Sequence, residues 1–208
     1  MRTLTSLLAI AALTLGACQK SGGVNAVSDD DMSMGSPAAK VTVIEYASVA
    51  CSHCAAFNND VFPAFKAKYV DTGKVRYVAR EALTGDTSIA VAGFLIARCA
   101  GKDKYFKVVE AIYRNQMAIM GPGGEPKAGF LAIARSAGMT DAQFEACVTN
   151  QKAMDEVQAR WTKYATEDKV TSTPTFFVNG KMLPPGETTL VKLDAAIAEA
   201  GAGAKAAS

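Results

Sequence analysis

The chain has 208 residues, of which 22 are basic and 20 acidic, so its formal net charge is only +2. This near balance argues against nucleic acid or any strongly charged partner. Half the residues are hydrophobic and a fifth are charged, which is typical of one globular domain, with room for an inserted subdomain, and excludes a disordered or fibrous chain.

The first 17 residues have the pattern of a signal peptide. Arg2 supplies the positive start, and the uncharged, mostly apolar run 4–15 is too short to cross a bilayer comfortably. The following Leu15-Gly16-Ala17-Cys18 resembles the bacterial lipobox, in which the signal is cut before a cysteine that is then lipidated. Residues 1–17 are therefore predicted to direct export, and Cys18 to carry a lipid anchor; a plain secretory signal is the alternative.

Residues 18–39 are rich in glycine, serine and aspartate, and we expect a flexible tether there. The β-branched run 41–46 predicts a buried strand. Helical spacing of apolar residues over 52–69 predicts a helix that Pro63 bends, because proline lacks an amide hydrogen. With a second strand at 75–80 this makes a βαβ unit.

The stretch from 85 to 166 is predicted to be almost wholly helical, with runs at 88–100, 105–117, 128–137 and 152–165. A glycine–proline break is expected at 121–124, and a short helix capped by Thr140 or Asp141 is expected to carry Cys147. A strand pattern returns at 175–178 and turns on Asn179-Gly180, which is the strongest short signal for a β-hairpin. A closing helix over 190–200 and a disordered tail over 201–208 complete the prediction.

The motif Cys51-Ser52-His53-Cys54 stands where the first strand gives way to a helix. Unpaired amides and the macrodipole of a helix N-terminus favour an anion, so Cys51 is expected to have a low pKa and to react as a thiolate. His53 can add a positive charge or a hydrogen bond to the same sulfur. Cys54, one turn further on, would be the resolving thiol. A stabilised thiolate favours the dithiol form and hence oxidation of other proteins.

Metal and protease chemistry compete for the same residues. His53 is the only histidine in the chain, which excludes a separate Cys–His dyad and a zinc site of two cysteines and two histidines. A zinc site of four thiolates could still be formed from Cys51, Cys54, Cys99 and Cys147. However, the last two stand singly within helical runs and not in a second CxxC motif. We therefore predict no metal, and no cofactor beyond the redox-active Cys51–Cys54 disulfide.

Over residues 40 to 200 the chain resembles the DsbA-like branch of the thioredoxin superfamily. The resemblance rests on a strand ending in Glu45-Tyr46, the CxxC motif six residues after Glu45, a helical insertion, and the run from Thr173 to Gly180. It implies an α/β thioredoxin fold with an inserted all-helical subdomain. The thioredoxin-like domain would comprise 40–84 and 167–200, and the insertion 85–166.

The same resemblance assigns roles to individual residues. Pro174 would be the family's cis-proline beside the active disulfide, where Thr173 presents its backbone to an extended substrate and Ser52 completes the binding edge. Ser52 stands where proline is familiar in the family, which leaves the redox potential open. Glu45 would be the buried acid that exchanges a proton with Cys54; a solvated carboxylate at the strand end is the alternative.

Cys99 and Cys147 both fall in the helical insertion. Related DsbA-like proteins from some bacterial groups carry a second disulfide in that subdomain, so the resemblance implies a Cys99–Cys147 bond. Two ordinary buried thiols remain the alternative, since free cysteine is among the most buried residue types.

Taken together, these features predict a monomeric periplasmic dithiol oxidase that introduces disulfides into exported proteins. Reduced exported proteins would be its substrates, and a membrane redox partner of the DsbB kind would reoxidise it. A disulfide reductase or isomerase is the alternative within the same chemistry, although no dimerisation domain precedes the motif. A membrane-tethered peptide-binding or chaperone module is the alternative of another class.

Overall fold

The computed structural model of the protein describes residues 26–206, so the predicted signal peptide 1–17 and Cys18 lie outside the described residues. A five-stranded mixed sheet forms the centre of the fold, and its order is β1-β3-β2-β4-β5. Strands β2 and β3 run parallel, and the other neighbours are antiparallel. The strands are β1 (Met32–Met34), β2 (Val41–Ala47), β3 (Val75–Glu81), β4 (Thr175–Val178) and β5 (Lys181–Met182).

The helix between the two parallel strands is not uniform. It consists of α1 (Ser52–Ala56), a π-helical turn (Phe57–Val61), α2 (Phe62–Phe65) and a second π-helical turn (Lys66–Val70). Pro63 lies in the first turn of α2, where its missing amide hydrogen costs least. The wider π turn just before it accommodates the break in the hydrogen-bond ladder that proline imposes.

The helical insertion lies between β3 and β4 and has its own core. Phe94, Ile112, Phe130 and Phe144, from four of its helices, are all almost completely buried in one cluster. The helices are α3 (Thr87–Cys99), α4 (Lys102–Arg114), α5 (Gln116–Met120), α6 (Pro126–Ser136), α7 (Asp141–Val148) and α8 (Gln151–Glu167). A disulfide joins Cys99 at the end of α3 to Cys147 in α7, so the alternative of two free thiols is wrong.

Both faces of the sheet are covered by helices. Phe57 and Phe65 pack against one face together with Leu193 of α9 (Leu190–Ala206), while Tyr164 of α8 packs against the other. The Asn179-Gly180 turn has positive φ at both residues, as a tight hairpin requires. No helix in the described range is long and apolar enough to cross a membrane.

Two of the expected disordered segments are partly ordered. The prediction of a flexible tether over 18–39 is wrong for 26–39, where β1 pairs with β3 and Met32 is buried. The buried pair of Asp31 with Arg80, at 3.0 Å, ties this segment to the sheet, a long-range contact that local composition does not reveal. The disordered tail over 201–208 is wrong for 201–206, because α9 continues through this alanine-rich stretch.

The insertion is fastened to the end of β3 by a buried carboxylate. Glu81, only 2 % exposed, accepts hydrogen bonds from Arg98 of α3 at 2.6 Å and from Arg160 of α8 at 3.0 Å. The hydroxyl of Tyr105 in α4 donates to the same carboxylate at 3.1 Å. Two guanidinium groups compensate the one buried charge, so three helices of the insertion are held against the last residue of the strand.

Candidate active site

A short polar loop delivers Cys51 to the start of α1. The buried Ser48 donates a hydrogen bond to the Thr84 carbonyl at 2.7 Å and accepts one from the Ala50 amide at 3.2 Å. The Cys51 amide donates to the Ser48 carbonyl at 3.0 Å. These bonds satisfy the backbone between strand and helix and leave Cys51 in the N-cap position of α1.

The insertion supports this loop from the other side through Gln116 at the start of α5. Its side-chain amide donates to the Val49 carbonyl at 2.9 Å and to the Cys51 carbonyl at 3.1 Å. Gln116 is buried, so these bonds have little competition from water. The helical subdomain therefore positions the backbone of the reactive cysteine.

The Thr173–Pro174 peptide bond is cis and lies beside the CxxC motif. As a thiol, Cys51 Sγ donates to the Thr173 carbonyl oxygen at 3.4 Å. The Thr173 hydroxyl in turn pairs with the hydroxyl of Thr84 at 2.5 Å, which connects this loop to the segment that Ser48 holds. Hydrogen bonds thus link Cys51 to the cis-proline loop, and that loop to Thr84.

Several donors stabilise the thiolate of Cys51. The Cys54 thiol has the largest effect, and burial opposes it. The hydroxyl side chain of Thr173 and the backbone amides of Cys54 and His53 add to the effect of Cys54, and the pKa of Cys51 is lowered to about 5. At neutral pH the side chain is therefore a thiolate. Because it is also partly exposed, it combines nucleophilic character with access.

His53 and Ser52 lie at the exposed start of α1. Within the described residues, the His53 side chain makes no hydrogen bond to Cys51, and the backbone amide of His53 is one of several donors that stabilise the thiolate. His53 lines the groove beside the motif together with Thr173 and Pro174.

The low pKa of Cys51 predicts a specific pH dependence. The rate at which the dithiol protein is alkylated at Cys51 should rise with pH around a midpoint near 5 and level off at neutral pH. The depressed pKa stabilises the folded dithiol form fully above the ordinary pKa of 9.0, progressively less as the pH falls, and not at all below about 5. Pseudo-first-order alkylation kinetics measure the midpoint. A midpoint near 9, the value expected of the unfolded chain, would contradict the prediction.

Cys54 has the opposite character. It is fully buried, and burial, the bond with Cys51 and the nearby Glu45 raise its pKa well above the ordinary value. It therefore stays a thiol at neutral pH and is shielded from outside reagents. The motif thus contains one accessible thiolate and one buried thiol.

Glu45 lies on β2 and is buried, which contradicts the alternative of a solvated carboxylate. Burial raises its pKa to about 8, the negative charge of Cys51 adds to this, and a hydrogen bond donated by the Tyr77 hydroxyl works against it. The group is therefore mostly protonated at neutral pH, beside the thiol of Cys54. A group that can donate or accept a proton therefore lies near Cys54 and is shielded from bulk water.

Most of the predicted site residues in the described part of the chain fall into two groups. Glu45, Cys51, His53, Cys54, Thr173 and Pro174 lie around one reaction centre. Cys99 and Cys147 are bonded to each other in the insertion, so they do not complete a four-thiolate zinc site with the motif. Sequence reasoning missed Ser48, Thr84 and Gln116, because a single polar residue in a loop or a short helix gives no periodic signal.

The model of the family described as "Thioredoxin" matches residues 27–198 of the chain. Two curated relatives, each named "Putative protein-disulfide oxidoreductase", come from Rickettsia bellii and Rickettsia felis and are 29 % and 31 % identical over 154 residues. That match covers 74 % of this chain but only 59 % and 55 % of the relatives, so the chain spans little more than half their length.

Solved structures share the whole architecture. The alpha-DsbA1 protein of Wolbachia pipientis superposes with a TM-score of 0.78 at 24 % identity, covering 86 % of this chain and 95 % of that one. A protein-disulfide isomerase of Novosphingobium aromaticivorans gives a TM-score of 0.70 at 21 % identity and coverages of 83 % and 98 %. The chain therefore belongs to the thioredoxin family, and its fold is similar to that of the alpha-DsbA1 structure.

Proposed function

We propose that the protein is a thiol–disulfide oxidoreductase that works as a dithiol oxidase through Cys51 and Cys54. The observation that carries this proposal is the contrast between the two thiols, since the pKa of Cys51 is lowered to about 5 and that of Cys54 is raised by burial. A thiolate that is more stable than an ordinary thiol favours the dithiol form, so the disulfide form tends to oxidise other thiols. The names of the Rickettsia relatives support the same chemistry.

The reaction begins with the Cys51–Cys54 disulfide. A substrate thiolate attacks Cys51 Sγ, a mixed disulfide forms, and Cys54 leaves as a thiolate that takes up a proton. The second thiolate of the substrate then attacks the first substrate sulfur, which is bonded to Cys51 in the mixed disulfide, and Cys51 leaves as a thiolate. Two electrons pass from substrate to protein, and the substrate gains one disulfide. The low pKa of Cys51 makes it a good leaving group in the second step.

Glu45 fits the proton transfer in the first step. Cys54 is buried, so a thiolate formed there has no direct proton donor in bulk water. Because the pKa of Glu45 is raised to about 8, this side chain is mostly protonated at neutral pH and can neutralise the leaving thiolate. In the reverse direction the carboxylate would accept the proton when Cys54 attacks.

The setting proposed for this reaction is the periplasm. The signal-peptide pattern of residues 1–17 and the lipobox-like sequence before Cys18 support export and a lipid anchor. Reduced exported proteins would be the substrates, and a quinone-linked membrane protein of the DsbB kind would return the motif to the disulfide form. An oxidising compartment is also consistent with the Cys99–Cys147 disulfide.

Equilibration of the Cys51–Cys54 pair with glutathione tests the direction of exchange. We expect a reduction potential well above the value of about −270 mV that is typical of thioredoxin, because the thiolate of Cys51 is stabilised. The fraction of dithiol protein at each glutathione ratio can be measured by alkylation and mass spectrometry. A potential near that of thioredoxin would assign the protein to disulfide reduction instead.

A further inference from the structure

A groove runs beside the reaction centre and has an acidic rim. Its volume is about 440 Å³, and it extends from His53 and the cis-proline loop to Asp60 on one wall and Glu187 on the other. Cys51 directly precedes α1, which forms one wall, and its sulfur contacts the Thr173 carbonyl of the opposite wall. A peptide joined to Cys51 and extended along this loop therefore passes through the groove.

The charges in the groove are of one sign. Asp60 and Glu187 are both exposed, and neither carboxylate forms an ion pair within the described part of the chain. No lysine or arginine is among the residues that line the groove. The ammonium group of Lys192 donates to the backbone carbonyl of Glu187, but this side chain lines a neighbouring cavity. The groove therefore offers two carboxylates to a bound peptide without a competing cation along its walls.

Part of the groove lining is apolar. Ala56, Phe57 and Val61 line this part of the groove, and they offer a surface for the methylene stem of a long side chain. Lysine and arginine bury such stems while their charged ends stay in water or reach an acid. The groove thus combines the two features that a basic side chain uses.

The distance to the carboxylates indicates the position of that side chain. Asp60 is nine positions after Cys51, which is at most about 13 Å along the helix at about 1.5 Å per residue, because part of this stretch is a π-helical turn. An extended peptide advances about 3.3 Å per residue, so this distance corresponds to about three or four substrate residues.

We propose that this groove selects substrate cysteines that have a lysine or arginine about three or four residues away, through Asp60 and Glu187. The inference rests on the proposed thiol–disulfide exchange and specifies the substrate class of the same site. A glutamate at that substrate position would meet two like charges and be disfavoured. Because both carboxylates are exposed, the preference should weaken with increasing salt.

Dithiol peptides that differ at one position test this proposal. Each peptide carries arginine, alanine or glutamate three residues from its first cysteine, and a second set places the varied residue on the other side of that cysteine. The measured quantity is the second-order rate at which each peptide reduces the Cys51–Cys54 disulfide. For at least one set we expect the arginine peptide to react about tenfold faster than the glutamate peptide at low salt.

Variants separate the groove from the chemistry of the peptides, since a neighbouring arginine also makes a peptide thiol more acidic. The rate ratio that the thiol acidities of the peptides produce by themselves can be measured in their reaction with a small disulfide. In the Asp60→Asn/Glu187→Gln variant the ratio of arginine to glutamate peptide should fall to that reference ratio. The Asp155→Asn/Glu156→Gln variant removes the same two charges from the exposed face of α8 and should keep the full ratio.

Different results would overturn the substrate preference and the proposed thiol–disulfide exchange. Exchange at equal rates for arginine and glutamate peptides, or a ratio that survives the Asp60→Asn/Glu187→Gln change, would overturn the substrate preference and leave the proposed exchange standing. A protein that exchanges with none of the peptides would overturn the proposed function, and the preference with it.

Discussion

Replacement of Cys51 by alanine is expected to abolish thiol–disulfide exchange, down to the rate of the uncatalysed reaction. Cys51 is the partly exposed thiolate of the motif, whereas Cys54 is buried and its pKa is raised. The remaining Cys54 therefore offers neither access nor the reactive form of sulfur. Oxidation of a reduced, denatured test protein by the variant, followed by the recovery of its enzymatic activity, measures the loss.

Cys54→Ala is the matched control, because it removes the other sulfur of the same motif. This variant keeps the nucleophile but lacks the resolving thiol, so it should trap mixed disulfides with its substrates on Cys51. Turnover by Cys51→Ala would contradict the assigned roles. A variant that cannot exchange thiols yet retains full affinity and full biological effect on its clients would favour the peptide-binding or chaperone alternative instead.

Removal of the second disulfide by Cys99→Ala and Cys147→Ala is expected to lower the free energy of unfolding by about 4 kcal/mol. The bond joins α3 to α7 across a sequence separation of 48 residues, so it restricts the unfolded chain considerably. Urea unfolding of the variant and the parent protein, both in the absence of reductant, measures the difference. A loss below about 1 kcal/mol would show that helix packing holds the insertion without the crosslink.

The Cys51→Ala/Cys54→Ala variant is a suitable control for that experiment. It also replaces two cysteines by alanine, but the ring that their disulfide closes is short and restrains the unfolded chain much less. It should therefore lose less stability than the Cys99→Ala/Cys147→Ala variant. The latter should in turn retain thiol–disulfide exchange, because neither cysteine lies at the reaction centre.

Much of the fold follows from local pattern. The β-branched run before the CxxC motif became β2, and the asparagine–glycine pair became the turn between β4 and β5. These signals are local because the period of a strand and the positive φ of a tight turn depend on adjacent residues. That residues 32–34 form an ordered strand was not predicted. The pairing of β1 with β3 is accompanied by the contact of Asp31 with Arg80, which lies far away in the sequence.

The central chemistry of the motif follows from the sequence alone: two cysteines stand at the start of a helix, with Cys51 first and Cys54 one turn later. The sequence could not determine the environment of those sulfurs, because a pKa depends on burial and on donors from remote segments. Only the tertiary structure brings Thr173, Gln116 and the buried Glu45 to the motif. Contacts between distant segments therefore set how far the pKa values of the two thiols diverge, and they place a buried acid near Cys54.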